Sequence, residues 1–458
     1  MPEADRAIVI GASVAGLLAA RVLSDHFSEV VIVERDRLPH DVEFRKGVPQ
    51  SRHLHVLLVR GAEILERFFP GIRDSLFEAG AQPIDWTRDV LFLSAAGWGT
   101  RFPRSLTLIL SHRELLEWSI RQRVLSAPRI RHIEEHDVTD LLLSGQTVEG
   151  VALRARPDGQ AQELAASLVV DASGRNSKAP DWLLAHGYRA PRQIVINSFL
   201  GYASRQYEQP PDLDVDWRAL YLLPKAPAST RSGGLFPIDS KRWLVTLAGV
   251  GRDYPPNDED GFLEFARTLR SAILYDAIRT AQPLTPISTY RRTENQWRRY
   301  DQLRRWPERF VVLGDATCAF NPIYGQGMTA AAESALVLEQ WLTTGSEPAL
   351  RFQQKLGKMV ASPWLLATGE DFRFPTTEGG KPGFATRLAH RYFDRLFEVG
   401  SVDETVATAF LRVLHLLDPP LTLFRPGILA RALRGPRRPL LTAPPTATPL
   451  ATSVRQLT

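Results

Sequence analysis

The residues best equipped for chemistry stand at the start of the chain, in Gly11-Ala12-Ser13-Val14-Ala15-Gly16, with Glu34 closing the next apolar run. Gly11 permits a sharp turn and Gly16 permits close packing of a helix on a strand. The backbone between them can approach a pyrophosphate at the positive end of that helix. Ser13 replaces the middle glycine of the usual pattern. Glu34 is placed to accept hydrogen bonds from a ribose diol, with Arg35 beside it as a further candidate contact, and a carboxylate there disfavours a 2′-phosphate.

That fingerprint alone fits NAD or FAD. The choice comes from Phe310-Val311-Val312-Leu313-Gly314-Asp315, followed by Asn321-Pro322-Ile323-Tyr324-Gly325-Gln326-Gly327-Met328. An apolar strand would deliver Gly314 and Asp315 to its end, where the carboxylate can hold a ribityl hydroxyl of a flavin. Pro322, Gly325, Gly327 and Met328 then lead into a helix whose free N–H groups would face the flavin pyrimidine ring and favour the anion formed on reduction. An NAD enzyme has no need of this second element, so the pair points to FAD.

The elements that must position these residues follow from the apolar pattern. Ala7–Ile10, Leu17–Leu23 and Val30–Val33 read as strand, helix and strand. Residues 51–69 carry a helical period with Ser51 as N-cap. Leu106–Leu125 reads as a strand ending near His112 and then a helix, with strands again at 148–155 and 166–171. From about 190 to 290 the signals are antiparallel, at 195–203, 220–223, 234–237 and 243–249. Helices are expected near 349–361, 384–398 and 403–417. The fold class is therefore α/β: a glutathione-reductase-like, Rossmann-type FAD domain (1–185 and 296–345), an inserted antiparallel-sheet substrate domain (186–295), a C-terminal helical region (346–435) and a disordered tail (436–458).

Composition bounds the rest. The chain has 458 residues, 44% hydrophobic and 23% charged, enough to bury more than one core. Its single cysteine, Cys318, precludes an internal disulfide and a thiolate-built metal site. No basic leader and no long uncharged apolar run is present, so a soluble cytoplasmic protein is expected. The net charge of +5 rests on scattered arginines, which argues against nucleic-acid binding. Leu421–Pro439 is the exception, alternating arginines with leucines. It either makes weak peripheral contact with an acidic membrane surface or packs as a terminal helix with a charged outer face.

On these motifs the chain resembles the FAD-dependent monooxygenase superfamily of aromatic hydroxylases and squalene-type epoxidases, over most of residues 5–345. The family's D-G-x-x-S element has a counterpart in Ser173-Gly174-Arg175-Asn176-Ser177, with serine for aspartate and Asp171 two residues earlier. The resemblance implies cofactor contacts from Asp171, Gly174, Arg113 and the backbone of Val138. Phe44-Arg45-Lys46-Gly47-Val48-Pro49-Gln50-Ser51-Arg52-His53-Leu54-His55 is similar to the matching stretch of bacterial polyether-type polyketide alkene epoxidases. In that family the stretch lies beside the isoalloxazine, which implies backbone contacts from Gly47 and Val48 and charge from Arg45 or Lys46. The two histidines are read as fixing the loop, and no metal site is expected.

The resemblance implies oxygen insertion through a flavin hydroperoxide into a lipophilic small molecule, with alkene epoxidation favoured and O2 as co-substrate. Electrons would come from NAD(P)H or from a separate flavin reductase as partner. No nucleophile triad or metal cluster stands in the sequence, in keeping with chemistry carried by the flavin. Phe199, Leu235, Phe236, Leu247, Phe320 and Tyr324 are candidate cavity walls. Aromatic hydroxylation is the nearest rival and would gain from a base that the sequence does not reveal. A halogenase lacks support, because its W-x-W-x-I-P segment has no counterpart here. A prenyl-chain reductase or a non-redox cyclase on the same scaffold are further alternatives.

Overall fold

The computed structural model describes residues 5–103, 106–156, 158–345 and 347–446. Its framework is a five-stranded parallel sheet in the order Phe310–Val312, Leu168–Asp171, Arg6–Ile10, Glu29–Val33, Ile130–Ile133. Apart from the edge strand Ile130–Ile133, these strands are rich in Val, Ile and Leu because helices and a three-stranded sheet of His136–Ser144, Thr147–Ala155 and Ala161–Ala165 cover them, and continuous apolar runs are what such burial requires. Pairing of Ile10 with Asp171 and of Asp171 with Val312 brings Gly11, Ala172 and Gly314 to one carboxyl edge. Ligands of open α/β sheets bind outside that edge.

Two glycines make the edge compact. Gly11 has φ +99°, and a Cβ there would stand 2.8 Å from the Ala172 carbonyl oxygen. Gly16, in the helix Val14–Leu23, faces the Gly11 carbonyl oxygen so closely that a Cβ would sit 1.8 Å from it.

The second sheet has seven strands, in the order Ser288–Tyr290, Gly201–Glu208, Arg242–Gly249, Arg231–Pro237, Ala219–Leu222, Val90–Ser94, Gly97–Trp98. It is mixed, because Val90–Ser94 joins Ala219–Leu222 in parallel. Residues 90–98, expected in the cofactor domain, thus complete this sheet. A smaller sheet of Gln193–Ile196, Asn295–Arg298 and Cys318–Ala319 joins the two units.

Three expectations need correction. The helix placed at 51–69 begins at Val59, preceded by a short 3-10 turn Pro49–Arg52 and six extended residues. Ser51 does not cap it, since its hydroxyl donates to Glu114 at 2.9 Å. The strand read at 195–203 breaks at Phe199, whose φ of +52° no strand tolerates. The tail begins later than 436: Trp98 N–H donates to the Leu441 carbonyl at 3.2 Å, which makes Leu441 a bridge on the sheet edge. Residues 447–458 of the expected tail lie outside the described residues.

The C-terminal region consists of helices Ala349–Asp371, Phe384–Gly400, Glu404–Leu414 and Pro426–Arg434. The first runs ten residues past its expected end at 361. In the last, Ile428 and Ala432 are buried against Leu396, Val399 and Val406. The packed terminal helix is therefore one face of that segment, and its opposite face stays exposed.

Gly16→Ala should destabilise the protein by about 1–3 kcal/mol, because the methyl must displace either the first helix or the turn. Thermal melts and flavin content measured together check this, and an unchanged melting temperature would contradict the close approach.

Candidate cofactor groove and substrate cavity

The carboxyl edge of the parallel sheet opens into a groove of about 920 Å³. Every cofactor contact named from sequence borders it except Gly16, Asp171 and Gly314. Gly16 is spent on packing. Gly314, at φ +62°, lies against the Ala15 methyl and lets the two motifs meet. Asp171 is fully buried behind the turn that borders the groove. It accepts from Ser173 N at 2.9 Å, Ser173 Oγ at 2.6 Å and Ser177 Oγ at 2.5 Å. The cofactor contact implied for Asp171 is therefore corrected: its carboxylate is spent on fixing the Ser173–Ser177 turn, which itself borders the groove.

Glu34 has a task beyond the one inferred from sequence. Its Oε2 accepts from Ala12 N at 2.7 Å, which ties the end of the second strand to the glycine turn. Arg45 Nη1 stands 3.3 Å from the same oxygen, and Arg45 Nη2 stands 3.4 Å from Glu117 Oε1. Arg113 Nη2 pairs with Glu117 Oε2 at 2.8 Å. All four side chains are buried. Glu117 was not singled out from sequence, although its i,i+4 spacing from Arg113 on one helix was the available signal.

This cluster tests whether FAD fits. Arg45 Nε and Arg113 Nη1 are buried and have no hydrogen-bond acceptor. Burial of an unpaired donor on a cation is costly, so a bound anion that accepts from both relieves the penalty. The helices beginning at Val14 and Gly327 have no side-chain N-cap, which leaves first-turn N–H groups for acceptors. The residues fit a flavin dinucleotide: Gly11–Ser13 and Arg113 would hold the pyrophosphate, Glu34 the adenosine ribose and Asp315 the ribityl chain, while Arg45, expected beside the isoalloxazine, stands instead with Ala12, Glu34 and Glu117 at the glycine-turn end. Burial raises the Asp315 carboxyl above the usual range, opposed by Arg175, Arg298 and Arg113.

A second cavity, of about 1220 Å³, adjoins the groove. Both are bordered by His53, Leu54, Val56, Tyr202, Pro322 and Gly325, so the loop Asn321–Gly325 forms part of the partition between them. Of the six candidate wall residues, Phe236 and Tyr324 line the larger cavity. Leu235 and Leu247 point to the other face of the sheet, as strand alternation demands, and pack there with Phe262 and Leu274. Phe320 borders the cofactor groove, and the Arg252 guanidinium lies 3.4 Å over the ring of Phe199.

Sequence reasoning missed most of the remaining wall. Trp86, Phe92, Tyr221, Phe236 and His415 form a ring cluster with centroids 5.8 to 6.5 Å apart. The helices Ala349–Asp371, Phe384–Gly400 and Glu404–Leu414 close the opposite side. These segments are remote in sequence, and no local motif connects them.

The titratable groups facing this space are set by burial. His53 is pushed down to about 4 and His415 likewise, so both are neutral near pH 7. His53 Nδ1 lies 2.8 Å from Ser204 Oγ, which lies 2.7 Å from Thr246 Oγ1, fixing the loop to the sheet as expected. Asp371 was not foreseen. It is 2% exposed at the end of its helix and receives Tyr324 Oη at 2.8 Å, Asn295 Nδ2 at 2.5 Å and Asn321 Nδ2 at 3.1 Å. Burial lifts its carboxyl to about 7 against the pull of those donors.

Among the described residues no group of His, Cys, Asp and Glu could hold a metal ion, and no helix is long and apolar enough to cross a membrane.

A family model described as FAD binding domain matches residues 5–344. Protein Rv3254 of Mycobacterium tuberculosis is 33% identical over 444 residues, covering 94% of this chain and 93% of its own length. A kynurenine 3-monooxygenase of Salinispora tropica is 26% identical, covering 74% and 73%. Squalene epoxidase erg1 of Schizosaccharomyces pombe is 22% identical, covering 78% and 73%.

Asp315→Ala and Arg113→Ala should each weaken FAD binding about tenfold to a hundredfold, the loss of one charged hydrogen bond. Titration of the deflavinated protein with FAD, followed by flavin fluorescence, measures it. Unaltered affinity in either variant would refute that residue's assigned contact.

Proposed function

The chain belongs to the FAD binding domain family, within the FAD-dependent monooxygenase superfamily, and on that premise we propose that it inserts one atom of dioxygen into a lipophilic substrate. The favoured reaction is epoxidation of an alkene in a polyketide- or terpenoid-like chain. One observation carries this reading: a large cavity with carbon-rich walls shares a partition with the cofactor groove. When bound, FAD reduced with electrons from NAD(P)H activates dioxygen and supplies the oxygen atom.

The protein's own part is positioning and exclusion of water. Trp86, Phe92, Tyr221 and Phe236 offer stacking surfaces for an unsaturated chain without competing for hydrogen bonds. His53, neutral and anchored to Ser204, holds the loop that borders both spaces and places no charge beside the reacting atoms. Similarity to a squalene epoxidase supports an alkene as the acceptor.

Aromatic hydroxylation is the second reading, favoured by Tyr324 and Asp371 together and by similarity to a kynurenine 3-monooxygenase. A phenolic substrate in the cavity could pass its proton to the Tyr324 oxygen while the Tyr324 proton moves to Asp371. Asp371 accepts it when ionised, above its value of about 7.

The two readings separate on pH and product. With heavy-isotope dioxygen, a reductant and panels of polyenes and phenols, one labelled oxygen should appear in the product. An alkene should react at a rate insensitive to Asp371 ionisation. A phenol should react faster as pH rises through about 7, and Asp371→Asn should flatten that rise. Turnover that continues anaerobically without reductant would sink both readings.

A further inference from the structure

Seven of the eleven exposed large hydrophobic residues among the described residues fall between Leu365 and Leu433. Leu365, Phe384, Leu388, Leu421 and Leu433 are each more than half exposed, and Phe424 is 48% exposed. Scattered single leucines need no explanation, but a concentration of this kind marks an interaction site.

Contacts between their helices bring several of these residues near one another. On the helix Phe384–Gly400, the exposed positions Phe384, Arg387, Leu388, Arg391 and Arg395 follow helical spacing and form a single stripe. Its neighbour on the same helix, Tyr392, stacks on Phe424 at 4.8 Å. Gly435, just past the last helix, lies against the Arg395 guanidinium. On that last helix, Leu429 and Leu433 are exposed on the flank of the buried Ile428 and Ala432. Leu365 and Leu421 also border the large cavity, so the patch reaches the cavity at those two residues.

Charge identifies the partner. Residues 381–438 contain ten Lys and Arg against five Asp and Glu, an excess equal to the net charge of the whole chain, +5. Asp394, Glu398, Asp403 and Asp418 are each paired with an arginine. Arg387, Arg391, Arg425, Arg434, Arg437 and Arg438 have no ion pair among the described residues. Exposed leucine and phenylalanine interleaved with unpaired arginine match the interface of an anionic bilayer, where rings and aliphatic chains enter the acyl boundary and guanidinium groups meet phosphates. A second copy of the chain fits poorly. A twofold interface would set this patch on itself, arginine against arginine.

We propose that this face docks on an anionic lipid surface, with the mouth of the substrate cavity turned toward the bilayer. A lipophilic substrate then passes from the membrane into the cavity without crossing water. That last step rests on the oxygen-insertion reading, whereas docking itself does not.

The test is flotation of the full-length, FAD-loaded protein with phosphatidylcholine vesicles, with and without phosphatidylglycerol. Binding should require the anionic lipid and fall steeply with added salt. Two triple variants, Arg387→Glu/Arg391→Glu/Arg434→Glu and Phe384→Ser/Leu388→Ser/Leu433→Ser, should each lose about tenfold or more of the bound fraction. Their flavin absorbance and melting temperature should match the parent, since none of these residues borders the cofactor groove or the cavity. Equal flotation with neutral and anionic vesicles, or none with either, overturns the proposal. A dimer in analytical ultracentrifugation that the serine variant abolishes, without vesicle binding, would assign the face to a second copy instead. Since flotation requires no turnover, its result stands whether or not the oxygen-insertion reading holds.

Discussion

One buried carboxylate joins the three parts of the molecule. Asp371 ends the first helix of the C-terminal region, and its oxygens receive Asn295 from the connecting sheet and Asn321 and Tyr324 from the loop between groove and cavity. A buried carboxylate left without donors would be costly, and donors left without the carboxylate would be orphaned in turn. The loop beside the flavin position is therefore held in place by the helical region that walls the substrate cavity. The position of that loop is set jointly by residues 47 to 76 apart in sequence.

The cofactor groove uses the opposite device. Glu34 and Glu117 offset part of the charge on Arg45 and Arg113, which keeps the guanidinium planes fixed while some donors stay unspent. A fully paired cluster would be more stable and less receptive. Functional sites commonly retain such unmet demand, which the ligand then satisfies.

What was legible in the sequence was local. Gly11, Gly16 and Glu34 declare a strand, a turn and a helix within one short stretch, and Gly314 to Met328 does the same for the second motif, so two sides of the groove could be drawn from motifs, while Arg45, Arg113 and Val138 entered only through the family resemblance. The cavity could not. Most of its walls come from residues 86–102, 200–250 and 358–423, whose convergence is set in part by strand pairing such as Val90 with Ala219. Leu235 and Phe236 show the limit closely: neighbours in a strand face opposite ways, and apolarity does not say which one faces the cavity. Asp371 sits in an unremarkable helical segment, and the burial that makes it consequential belongs to the tertiary structure.

The bridge between Trp98 and Leu441 holds the segment around Leu441 against the sheet edge. Leu440 borders the substrate cavity, whereas the amino end leads into the first strand from the edge opposite the cofactor groove. The two ends are thus unequal as attachment points. A protein fused after Leu441 would start beside the cavity, while one fused ahead of Arg6 would hang from the far side of the sheet, away from the cofactor groove.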